Sequence, residues 1–142
     1  MSMEEQAFDL IAHLSQEKNF GMDYISHVSH RVEYLREYDF QYDDDILAAG
    51  YLLDVLNHGI SFEELEKRFS TDVAQLVYNH GRNYRRTALV LADLMALAER
   101  LNGSPLLGLL RGYYEATRSN LKDGDELGGM WSRLDCLMGV KS

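Results

Sequence analysis

The chain has 142 residues, 46% of them hydrophobic and 26% charged, with a net charge of −9, so it suits one domain over 1–142 with a real core and argues against duplex nucleic acid, whose phosphates need a positive surface. No apolar run is long enough to span a bilayer, so no membrane association is expected. The opening MSMEEQAFDL lacks the parts of a secretory leader and Cys136 stands alone, so the expected compartment is a reducing cytoplasm.

The apolar period is helical almost throughout, with no convincing alternating strand. Phe8, Ile11 and Leu14 predict a first helix. Tyr24, His27, Val28, Val32 and Leu35 predict a second, over roughly 23–37. Asp44 or Asp45 is expected to cap a third, which runs to about Asn57 and stops at Gly59. Ser61-Phe-Glu-Glu64 has the form of a capping box and starts a short fourth helix. Ser70 or Thr71 caps a fifth, carrying Val73, Leu76 and Val77. A strong apolar face over about 87–101 predicts a sixth, ended by Asn102-Gly103. Ser104-Pro105 reads as an N-cap with a first-turn proline, opening a seventh to about Leu121. Lys122–Glu126 reads as a turn, and Leu127–Met138 as a last helix. The sum is an all-α bundle of seven to eight helices.

Two polar stretches interrupt this pattern. Asp43-Asp44-Asp45 lacks the glycine and glutamate of a calcium loop and is better read as helix capping. Tyr78–Arg86 is basic and aromatic: Arg82, Arg85 and Arg86 suit phosphate pairing and Tyr84 suits stacking on a base, while the plainer reading is a solvated loop between helices.

The frame ILAAGYLLDVLNHGISFEELEKRFSTDVAQLV at 46–77 resembles the central segment of RelA/SpoT-type HD domains, which remove pyrophosphate from guanosine alarmones. Asp23-Tyr24-Ile25-Ser26-His27 is similar to the family's upstream histidine motif, and Val90-Leu91-Ala92-Asp93 to its distant aspartate motif. The resemblance runs over about 16–101 and implies an HD-like helical bundle. It also implies a divalent metal such as Mn²⁺ held by His27, Asp54 and Asp93, a mixed imidazole and carboxylate set. The chain departs from the family at several polar positions. The histidine of the His-Asp pair is Leu53, expected to be buried beside Asp54 and near His27. The Glu-Asp that follows the pair is Asn57-His58, of which only His58 titrates. Lys18 is the one base carried over upstream.

The implied function is that of a degenerate relative of alarmone hydrolases, non-catalytic, acting by binding a guanosine nucleotide or a protein. Lys18, Arg82, Arg85 and Arg86 are expected to supply the charge for a phosphate. Two alternatives stand beside it. One is a working Mn²⁺-dependent nucleotide phosphohydrolase with altered ligands, with Asn57 and His58 at its catalytic positions. The other is a helical interaction module that binds no cofactor, as a homodimer through its terminal helices. Fold analogy alone does not choose among them.

Overall fold

The computed structural model describes residues 2–18, 22–78, 84–121 and 127–139. Among them the chain forms eight α-helices and no strand: α1 Met3–Lys18, α2 Met22–Leu35, α3 Asp44–Leu52, α4 Phe62–Arg68, α5 Thr71–Tyr78, α6 Tyr84–Arg100, α7 Leu106–Leu121 and α8 Gly128–Met138. None of the helices is long and apolar enough to cross a membrane. The turn read at Lys122–Glu126 lies outside the described residues.

The bundle is built around α3. Its stretch Ile46–Leu52 is apolar on every side and wholly buried, the pattern of a helix enclosed by others. α1, α2 and α5 pack on it, and α2 also packs along α6. α4 packs on α5, and α8 packs on α6. At Gly50 an added Cβ would lie 3.0 Å from both Leu35 Cδ1 and Val32 Cγ2. The missing side chain is therefore what lets α2 and α3 approach so closely.

The acidic run ties three helix starts together. Asp43, not Asp44 or Asp45 as expected, caps α3, accepting from the Ile46 amide at 3.2 Å. Asp44 accepts from the amides of Met3 and Glu4 at the start of α1, and Asp45 accepts from the hydroxyl of Ser70. Ser70 in turn caps α5 through the Val73 amide. Carboxylates suit helix N-termini, whose first amides lack intrahelical partners. Ser61 caps α4 through the Glu64 amide, as its sequence predicts.

Two segments differ from expectation. α2 ends at Leu35, and residues 36–40 make an irregular turn with Asp39 in the left-handed region at φ 74°, which aspartate tolerates better than most residues. α3 ends at Leu52 instead of continuing to about Asn57. Leu53 and Asp54 form a turn, Val55–His58 a single tight turn, and Gly59 stops it at φ 85°. Asp54 and His58 therefore do not share an α-helical face.

Candidate functional site

The site lies where α2, the turn after α3, and the middle of α6 meet. Tyr24, His27 and Arg31 are spaced three and four residues apart on α2, so they stack on one face. Asp54 comes from the turn after α3 and Asp93 from α6. His27 is buried, and its Nε2 lies 2.9 Å from Asp93 Oδ1. An ionised carboxylate only accepts, so that nitrogen carries the proton.

Arg31 stands at the centre. It is 0% exposed. Its Nη1 donates to Asp93 Oδ1 at 2.9 Å and to Asp54 Oδ2 at 3.1 Å. Its Nε donates to the Gly50 carbonyl at 2.7 Å, in the last turn of α3, where carbonyls run out of helical donors. A cation is favoured at that end of a helix. Arg31 Nη2 and His27 Nδ1 are buried and find no hydrogen-bond partner among the described residues.

The surrounding groups respond to this arrangement. Burial pushes the Asp93 carboxyl upward, but the hydrogen bond from His27 and the charge of Arg31 outweigh it and hold it below the ordinary range. The Tyr24 hydroxyl, 3.5 Å from Asp54 Oδ2, is pushed up to about 12 by burial and by that carboxylate. Arg86 is half-buried and donates from Nη1 to the Leu76 carbonyl. Burial lowers its pKa, opposed mainly by Asp93.

The three implied ligand positions are thus brought together, with a guanidinium between the two carboxylates. A divalent ion bound by both would sit about 2.0–2.2 Å from their oxygens. That places it against a buried positive charge, in competition with Arg31 for the same oxygens. Among the described residues no group of three or more His, Cys, Asp or Glu is arranged to hold a metal. The residues as folded do not fit the implied ion.

The other expected residues disperse. Arg85 makes a two-pronged pair with Asp43, at 3.0 and 2.8 Å, and lies near Asp45 and Asp72. It braces the acidic run. Tyr84 stacks on Phe40. Lys18 is exposed at the end of α1. Arg82 and the side chain of Asn57 lie outside the described residues. His58 closes the tight turn after Asp54. Leu53, expected to be buried, is partly buried against the core. His30 lines a separate surface depression with Glu33, Tyr34, Glu37, Glu99 and Arg133.

Sequence reasoning missed Arg31. The signal was there: 24, 28, 31 and 35 form the inward stripe of α2, and an arginine in an apolar stripe needs carboxylate or carbonyl partners.

These features define a class: an all-helical domain with a buried histidine–carboxylate site at the meeting of three segments. A family model described as HD domain matches residues 6–100, more than half of the chain, and the chain belongs to the HD-domain family. Searches of curated proteins and of solved structures give no match. α7 and α8 lie beyond the matched segment.

Proposed function

We propose that this chain is a non-hydrolysing relative of RelA/SpoT-type HD domains that acts by binding a protein. The observation that carries the reading is Arg31 Nη1 lying between Asp54 and Asp93. Hydrolysis in this family needs a polarising metal, an activated water and a group to manage its proton. Here a fixed organic cation neutralises the two carboxylates, Leu53 supplies no nitrogen, and Asn57 cannot titrate. A protein partner is favoured over a nucleotide because Arg85, one of the residues expected to hold a phosphate, is engaged by Asp43.

The test is incubation of the purified chain with guanosine tetraphosphate and Mn²⁺, followed by ion-exchange separation of the nucleotides. The expected result is unchanged substrate. Release of guanosine diphosphate and pyrophosphate in proportion to added protein would overturn the reading and favour the hydrolase.

A further inference from the structure

Tyr34 holds a polar group that the fold itself does not use. Its side chain is 6% exposed, and its hydroxyl is buried and finds no hydrogen-bond partner among the described residues. A buried hydroxyl left unsatisfied destabilises a fold, and phenylalanine would fill the same space without it. Tyr34 lines a surface depression of about 200 Å³ with His30, Glu33, Glu37, Glu99 and Arg133. It lies where α2 and the turn after it meet the end of α6 and α8. Glu99 and Arg133 stand close enough to bear on the hydroxyl, but neither is aligned to bond it. Both are exposed on the rim, so an entering group can part them. Burial first, and then Glu99, push the Tyr34 pKa up, so the hydroxyl keeps its proton and offers its lone pairs.

The charges around the hydroxyl select its ligand. Glu33 is engaged by Arg36 at 3.1 Å, while Glu37 and Glu99 make no ion pair among the described residues. Two carboxylates against Arg133 leave the depression negative, which disfavours an anion. A bare metal is disfavoured too, because among the described residues no group of three or more His, Cys, Asp or Glu is arranged to hold one. An ammonium group has three donors and no acceptor. Glu37, Glu99 and the Tyr34 hydroxyl give it acceptors from three places on the rim and wall. We propose that this depression binds a primary ammonium on a short alkyl chain, carried by a free amine or by a lysine of a partner protein. The small volume suits such a group and is below that of an ordinary nucleotide pocket. The inference stands apart from the His27–Arg31 site, since His30, Glu33 and Glu37 leave α2 on a different side. It holds whether or not the protein hydrolyses anything.

The experiment is nuclear magnetic resonance titration of the full chain with 1,4-diaminobutane, with a short peptide carrying one lysine, and with uncharged 1,4-butanediol. The two amines should shift amides around 30–37, 99 and 133, with dissociation at about 0.1–1 mM, and the diol should not. Tighter binding of the peptide supports a protein lysine as the source, and tighter binding of the diamine supports a free amine. Glu99→Gln should weaken binding about tenfold through the lost charge. Tyr34→Phe should weaken it similarly while melting at the same or a higher temperature than the wild type, because it removes an unsatisfied group. No amide shifts up to about 10 mM amine, equal shifts with the diol, or unchanged binding in both variants would each overturn the proposal. A Tyr34→Phe variant that melts lower would overturn it as well, by showing that the hydroxyl is already bonded within the fold.

Discussion

Arg31 Nη1 lies 2.9 Å from Asp93 Oδ1, and this contact, with that of His27, joins α2 to α6 at the place where the HD scaffold is expected to hold a metal. The same guanidinium reaches Asp54 and the end of α3. One side chain thus ties α2 to α6 and to the end of α3.

Arg31→Met keeps much of the volume and removes the charge. It leaves Asp93 and Asp54 without their buried cation, the costly half of breaking a buried pair. The expected loss is about 3 kcal/mol, at the lower end of the range because both carboxylates remain partly exposed. Urea denaturation at neutral pH measures it. Arg31→Lys should recover only part, since one ammonium does not reproduce the planar fork.

Asp93 gives the site a pH signature. Its folded pKa lies below the ordinary 3.8, so its ionised form stabilises the fold above the unfolded pKa and that stabilisation is lost as pH falls through the folded value. The stability gap between the wild type and Asp93→Asn should stay flat from neutral pH to about 5 and shrink below about 4. Urea midpoints across that range check it; a gap that widens on acidification would contradict the assignment.

Gly50→Ala tests the close approach of α2 and α3. Its Cβ would press on Leu35 and Val32 at 3.0 Å, and a shift of α2 would also lengthen the bond from Arg31 to the Gly50 carbonyl. Overpacking of this kind costs about 1–3 kcal/mol. A lowered urea midpoint with unchanged slope is expected.

The bundle was legible because it rests on local signals. The Ser61 and Ser70 caps and the Gly59 stop each follow from their own neighbours, and the even apolarity of Ile46–Leu52 marks the enclosed helix. The contents of the site were less legible. His27, Asp54 and Asp93 were found through family motifs read without Arg31, and the pairing of Arg31 with carboxylates 23 and 62 residues away is a tertiary fact. The contact of Arg85 was illegible for the same reason. Its partner, Asp43, lies 42 residues upstream, a pairing that only the fold reveals.

The double replacement follows from the same geometry. Leu53→His alone restores an imidazole position but leaves the guanidinium between the carboxylates, so it should not create a Mn²⁺ site. Leu53→His with Arg31→Ser removes the competing charge and should bind Mn²⁺ more tightly than either single variant. Calorimetric titration of the three variants compares them; equal affinity in Leu53→His alone and in the pair would show that Arg31 is not the obstacle.

The most direct measurement is Mn²⁺ binding to the wild-type chain, followed by the loss of the free-ion paramagnetic resonance signal at neutral pH. With Arg31 holding Asp54 and Asp93, no stoichiometric site tighter than about 1 mM is expected, weaker than about 4 kcal/mol of binding free energy. One ion per chain bound at micromolar concentration, and released in Asp54→Asn or Asp93→Asn, would contradict the claim that the guanidinium has taken the metal's place.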